Sequence, residues 1–303
     1  MRLGAVKSEF DSFYTINNLT ANAYDRERDE TGTRLGLGID IPASDNVFVR
    51  LDYSYTDYDD IKADVITETE TIEPSEELFR LGLGWNFGLQ NNKQTISPPK
   101  IEGAYAGAHI GHGALQSDLD GIHNDSDGMG GAITSNFVGD FGSDSGFTGG
   151  VFFGYGITRS KWYLGVEAEF EDSTLNWDHV REARGRNFSV DKKDTRGLSL
   201  RSGYTLNNGT LLYARAGKVR TRFNTTWVKG SNRNNDIDRD DRVNGTRYGV
   251  GAEVPVTRSG FVRMDYTFTD YDSYDFITAH ANADDMDFDN SETLFRLGLG
   301  ARF

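Results

Sequence analysis

The residues with chemistry to offer are charges set at alternate positions inside apolar segments. Glu167 and Glu169 lie two apart, as do Arg263 and Asp265. Arg201, Arg215, Arg247, Glu253, Arg296 and Arg302 each interrupt an apolar or glycine-rich run in the same way. Residues two apart on a strand share a face, so these ten would all point into one enclosed space. An enclosed charge needs a partner, and the planar fork of arginine meets a carboxylate with two hydrogen bonds. The expected chemistry is therefore an ion-pair network. Lys218, Arg220 and Arg222 form a second group on the opposite parity, which they share with Ala214 and Ala216. Three cations in such a row suit phosphate groups. A bulge there would instead turn Val219, Thr221 and Phe223 outward.

Covalent chemistry finds little support. His109, His112, His123, His179 and His280 lack zinc-motif spacing. There is no Gly-x-Ser-x-Gly elbow, no phosphate loop and no cysteine. Asp236-Ile-Asp-Arg-Asp-Asp241 begins like a calcium loop, but Asp241 stands where the sharp-turn glycine belongs and Arg247 where the bidentate glutamate belongs. It is expected to be a solvated charged loop. His112 is the one seed for a catalytic group. The expectation is no enzyme, no metal and no cofactor.

The elements that hold these residues show in the alternation. Phe295, Leu297, Leu299, Ala301 and Phe303 oppose Arg296, Gly298, Gly300 and Arg302; Tyr248, Val250, Ala252 and Val254 oppose Arg247, Gly249, Gly251 and Glu253. Period 2 is the signature of a strand with two unlike faces. One face is a near-continuous apolar surface, while the other carries glycine and opposite charges, which suits a crowded interior. Eight strands are expected at 104–115, 146–157, 162–170, 196–204, 211–223, 246–254, 261–271 and 293–303. Their connections alternate between long (116–145, 171–195, 224–245, 272–292) and short (158–161, 205–210, 255–260). Apolar-face aromatics Phe147, Phe170, Tyr248, Phe268 and Phe295 fall at the long-loop ends, and Tyr155, Trp162, Tyr204 and Phe303 at the short-turn ends.

Of the 303 residues, 37% are hydrophobic and 26% charged, and the mean hydropathy is -0.57. No run of 18 apolar residues exists, so a membrane-crossing helix is excluded, whereas a strand barrel is not. The net charge of -15 argues against nucleic acid as a partner. It is concentrated in 59–77, 116–145 and 272–292, which read as acidic loops. Met1–Glu9 has no long apolar stretch of a secretory signal.

An internal repeat organises the chain. Thr31-Gly-Thr-Arg-Leu-Gly-Leu-Gly-Ile-Asp-Ile-Pro42 recurs as Asn244-Gly-Thr-Arg-Tyr-Gly-Val-Gly-Ala-Glu-Val-Pro255. Leu78-Phe-Arg-Leu-Gly-Leu-Gly84 recurs as Leu294-Phe-Arg-Leu-Gly-Leu-Gly300. Residues 1–88 thus repeat the second half of 101–303, with a linker at 89–100 that includes Ser97-Pro98-Pro99.

On Tyr105-Ala-Gly-Ala-His-Ile-Gly111, Gly149-Gly-Val-Phe-Phe-Gly-Tyr155, Gly165-Val-Glu167, Arg263-Met-Asp-Tyr-Thr-Phe-Thr-Asp-Tyr271 and Arg296-Leu-Gly-Leu-Gly-Ala-Arg-Phe303, the sequence resembles the small outer-membrane β-barrels. These include the membrane domain of outer membrane protein A and the alpha-proteobacterial porin-family surface barrels. The resemblance covers 101–303 fully and 1–88 as a half-copy. It implies an all-β, antiparallel up-and-down barrel in the Gram-negative outer membrane, inserted by the barrel assembly machinery, which would read Phe303. Outer-membrane lipid and lipopolysaccharide become the expected partners, the latter at Lys218, Arg220 and Arg222; the oligomeric state stays open. Four strands cannot close alone, because open edges in lipid leave unpaired amides. Residues 1–88 are then either the second half of a preceding barrel or join the other eight strands in one twelve-stranded barrel. The first reading gives a structural, surface-exposed protein with its lumen charges as a plug. The second gives a diffusion pore whose arginines select anions. A surface adhesin or ligand-binding barrel is the third possibility.

Overall fold

The computed structural model describes residues 2–14, 24–42, 46–65, 68–87, 101–126, 132–138, 142–181, 186–229, 237–277 and 285–303. Among them every regular element is a β-strand. The chain divides into two compact units, 1–91 and 92–303; the expected linker at 89–100 lies outside the described residues. In the first unit β1 (Arg2–Tyr14), β2 (Tyr24–Pro42), β3 (Val47–Tyr58) and β6 (Ser75–Trp85) form an antiparallel sheet in that order, and β4 (Ile61–Val65) pairs with β5 (Glu68–Ile72) as a separate hairpin.

In the second unit β7 (Gly103–Ser126), β9 (Gly142–Arg159), β10 (Trp162–Ser173), β12 (Arg186–Thr205), β13 (Leu211–Lys229), β14 (Ile237–Pro255), β15 (Gly260–Tyr271) and β17 (Asp285–Arg302) each pair antiparallel with the next. β17 then pairs with β7, from Asp285↔Ile122 to Arg302↔Tyr105, and the barrel closes. Both edges of β7 are taken, one by β9 and one by β17. This overturns the single twelve-stranded barrel, in which β6 would have to lie beside β7. Closure by β17 satisfies that edge inside the unit, and eight strands enclose a lumen that side chains can fill.

The strands run further at the outer end than the alternation suggested. The four segments read as long loops hold β8 (Ala132–Val138), β11 (Asn176–Arg181), β16 (Tyr274–Ile277) and the extensions of β7, β12, β13, β14 and β17. Ile237–Asp241, expected in a charged loop, pairs with Phe223–Trp227 of β13. Backbone groups go on pairing after the side chains lose their apolar alternation, because the ladder itself does not depend on hydrophobicity. At the opposite end the turns are tight. Ser160 adopts φ 59° between β9 and β10, and Gly209 adopts φ 82° between β12 and β13.

The repeat extends to pairing register. Arg2↔Gly36 corresponds to Arg215↔Gly249, Gly32↔Tyr58 to Gly245↔Tyr271, and Val47↔Trp85 to Gly260↔Ala301. Side-chain contacts repeat too: Phe10 meets Tyr58 edge-on at 4.9 Å, and Phe223 meets Tyr271 edge-on at 5.0 Å.

Outside, the barrel presents Val151, Phe153, Leu164, Val166, Leu198, Leu200, Val250 and Leu299, all exposed. Trp162, Tyr155, Tyr204 and Phe303 lie at the turn end, and Phe147, Phe170 and Tyr248 at the other end, all exposed. Phe295 shares this face but is 5% exposed, opposite Tyr266. Inside there are three layers. Tyr105, Phe152 and Phe261 cluster at the turn end with Tyr163, Leu211 and Tyr213 as a second group. Charged residues fill the middle. Leu115, Leu175, Trp177, Val190, Val219, Phe223, Trp227, Val243, Tyr271, Phe288 and Leu294 cap the outer end. Glycine admits the rings: a Cβ on Gly154 would lie 2.2 Å from Tyr105, and one on Gly251 2.4 Å from the Tyr213 hydroxyl.

Candidate functional site

β10 alternates Glu167, Glu169 and Glu171 with outward Val166, Ala168 and Phe170, and so lines one wall of the lumen with carboxylates. Arginines reach it from other strands. Arg201 on β12 donates to Glu167 at 3.1 Å and to Glu253 at 2.6 Å. Arg263 on β15 donates to Glu167 at 2.7 Å, and lies 2.9 Å from Asp265. Arg215 on β13 donates to Glu169 at 2.7 Å and to Ser199 at 2.8 Å. Arg247 on β14 donates to Glu169 at 3.0 Å, Glu171 at 2.9 Å, Glu292 at 2.8 Å and Thr269 at 2.8 Å. Arg296 on β17 donates to Glu169 at 3.0 Å and Glu171 at 3.1 Å. Arg302 pairs with Glu253 and with the Ile101 carbonyl.

The structure therefore brings the ten alternating charges together in one layer. The aromatic layer below is tied into it. The Tyr105 hydroxyl donates to Glu167 at 2.9 Å while accepting from Arg201 at 2.8 Å, and the Tyr213 hydroxyl accepts from Arg263 at 2.8 Å while contacting Asp265. The Arg201 guanidinium lies 3.7 Å from the centre of the Tyr213 ring, and that of Arg263 lies 4.2 Å from the centre of Phe152.

Four members were not among those read from the sequence. Glu171 and Glu292 keep the inward parity of β10 and β17, so extending each expected strand by one residue at its outer end would have found them. Lys192 would not have been found. The β12–β13 register shifts between Lys192 and Thr195, and this bulge turns Lys192 inward, where it lies 3.2 Å from Glu171 and 2.5 Å from Glu292. His109 shares the inward parity of Tyr105 and lies 3.5 Å from Glu171. His112 is on the outward face, edge-on to Phe147 at 4.8 Å. His280 and Asp236 lie outside the described residues. Among the described residues no group of three or more potential metal ligands is assembled.

The first unit carries the same motif in part. Arg34 donates to Thr56 at 2.6 Å and to Glu76 at 3.1 Å, as Arg247 does to Thr269 and Glu292.

Lys218, Arg220 and Arg222 lie on the outer surface of β13; Val219, Thr221 and Phe223 are buried inside, so β13 runs there without a bulge. Phe303 is 72% exposed at the turn end, its N–H donating to the Ala104 carbonyl at 2.9 Å.

Among the described residues no helix is long and apolar enough to cross a membrane. A closed barrel crosses with strands, whose backbone groups are all paired laterally. Among known proteins, the chain is 34% identical over 183 residues to the 22 kDa outer membrane protein of Rhizobium leguminosarum bv. viciae, covering 58% of this chain and 76% of that one. Solved structures with a similar strand arrangement include OprG of Pseudomonas aeruginosa (18% identity, 67% of this chain and 99% of that chain, TM-score 0.38). The attachment invasion locus protein Ail of Yersinia pestis is another (14% identity, 67% and 100%, TM-score 0.32). Residues 102–303 match the outer membrane protein beta-barrel domain over the whole closed barrel, and the chain belongs to that family of outer-membrane proteins.

Proposed function

We propose that the barrel is a plugged, non-catalytic membrane anchor that displays β-ribbons at the cell surface as a structural envelope protein or surface antigen. One observation carries this reading. Arg201 and Arg247 are 0% exposed and Glu167 and Glu169 1% exposed, so a water-sized sphere does not reach the middle of the lumen. An ion or solute crossing there would have to break several buried ion pairs, each costly to separate because both partners are desolvated.

The full chain, refolded and inserted in planar bilayers, is expected to show no steady conductance while migrating as a heat-modifiable species on a gel. Regular large steps would overturn the plug and favour diffusion through the lumen. We further propose that β1, β2, β3 and β6 form the second half of another barrel of the same kind; the repeated register and the Arg34–Glu76 pair support it. Amide exchange on the membrane-embedded full chain is expected to protect β2 and β3 as strongly as β14 and β15. Rapid exchange throughout β2 and β3 would contradict it.

A further inference from the structure

We propose that the outer surface of β12, β13 and β14 binds the phosphates of an outer-leaflet glycolipid, through five cations: Arg196, Lys218, Arg220, Arg222 and Arg242. This rests on the membrane reading above but not on the plug. Register brings the five together. Arg196 stands directly opposite Arg220, and Arg222 directly opposite Arg242, with Lys218 one outward position below Arg220. Like charges directly opposite on neighbouring strands repel, so two such pairs in one patch call for an anion between them.

The chain supplies only part of it. Asp194, on the bulge of β12, lies 2.7 Å from Arg222 and accepts from Arg242 at 3.1 Å. Lys218 donates to the Thr246 hydroxyl at 2.8 Å. Among the described residues no carboxylate pairs with Arg196, Lys218 or Arg220, and Asp172 and Asp270 stand at the flanks on the neighbouring strands β10 and β15. The patch has a defined height. On the same outward face Phe170 stands opposite Arg196 and Leu198 opposite Lys218, with Tyr248 one step lower opposite Ala216, so the patch meets the upper rim of the apolar surface. Cations there meet lipid head groups, and arginine holds phosphate by paired hydrogen bonds.

The N-terminal repeat is an internal comparison. At the positions of Lys218, Arg220, Arg222 and Arg242 it has Ala5, Lys7, Glu9 and Asp29, with Lys7 paired to Asp29 at 2.6 Å. The same register therefore forms without the excess cations, so the patch is not a requirement of the strand pairing.

The test uses the full chain in nanodiscs with three probes: bisphosphorylated lipopolysaccharide, its dephosphorylated form, and inorganic phosphate alone. Native mass spectrometry is expected to show retention of the bisphosphorylated lipid, with Arg196→Ser/Lys218→Ser/Arg220→Ser lowering its affinity roughly tenfold or more, since each charge-assisted hydrogen bond contributes on that order. Equal retention by the folded variant, or equal retention of the dephosphorylated lipid, would overturn the proposal. So would saturation by inorganic phosphate with no preference for the lipid. Should the variant fail to fold, the salt dependence of lipid retention by the unaltered chain decides: a steep fall with added salt is expected, and a flat profile overturns the site. Conductance plays no part in any of these outcomes, so a failure of the plug would be seen separately.

Discussion

Glu169 is engaged by three guanidiniums, those of Arg215, Arg247 and Arg296. Replacing it with Gln leaves three buried cations short of one charge, and breaking a buried pair costs about 3–5 kcal/mol. Glu169→Gln is expected to lower the urea midpoint of the refolded protein clearly; an unchanged midpoint would refute the layer as a stabilising network. Arg263→Ala is expected to destabilise similarly yet still reach the membrane, because Arg263 faces the lumen and contributes nothing to the lipid surface; urea titration and membrane fractionation separate the two effects. Asp194 sits above the membrane-crossing part of β12. Its partial burial pushes its pKa up, but the hydrogen bond from Arg242 and the charges of Arg222, Arg242 and Arg196 outweigh this and hold it below the usual aspartate value. A depressed carboxyl stabilises the fold above the ordinary aspartate range, and that contribution fades as pH falls through the lowered value. A carboxyl-resolved NMR titration should place the midpoint of Asp194 below that of a free aspartate, and Arg242→Ala should raise it.

At the scale of elements, the membrane-crossing strands and their faces were legible because lipid on one side and crowding on the other impose strict alternation. Arg201, Glu253 and Arg296 could be placed inside from parity alone. The outer ribbons were not legible. Ile237–Asp241 and Asp285–Asp289 are held by backbone pairing in a polar setting, where composition imitates a loop. Nor was the bulge in β12 legible, since nothing in Asp191-Lys-Lys-Asp-Thr195 breaks a pattern of its own. Below the bulge the inward residues are Thr195, Ser199 and Arg201; above it they are Val190 and Lys192. Odd positions give way to even ones. Deleting Lys193 should remove the bulge while Lys192 and Thr195 both stay inward, opposite Phe223 and Thr221, so that Lys192 keeps its place between Glu171 and Glu292. The expected result is a closed barrel with a denaturation midpoint near that of the unaltered chain, whereas Lys192→Ala, which leaves Glu171 and Glu292 short of a cation, should lower the midpoint clearly.

On the scale of the whole molecule, the carboxylates of β10 and the arginines that satisfy them are far apart in the chain. Arg247 comes from β14 and Arg296 from β17, and β17 is also the strand that closes the barrel on β7. The eight-stranded closure was legible as a count of strands, and so was its competitor with twelve. What separated them was the satisfaction of one edge of β7, which no local pattern records. This arrangement has a kinetic consequence. A nascent barrel with only its early strands assembled holds Glu169 and Glu171 before most of their counter-charges have arrived, and such a partial sheet is poorly suited to hydrocarbon. Insertion strand by strand is penalised until the final strand delivers Arg296, so entry into the membrane and closure become a single late commitment rather than a staircase of stable halfway states.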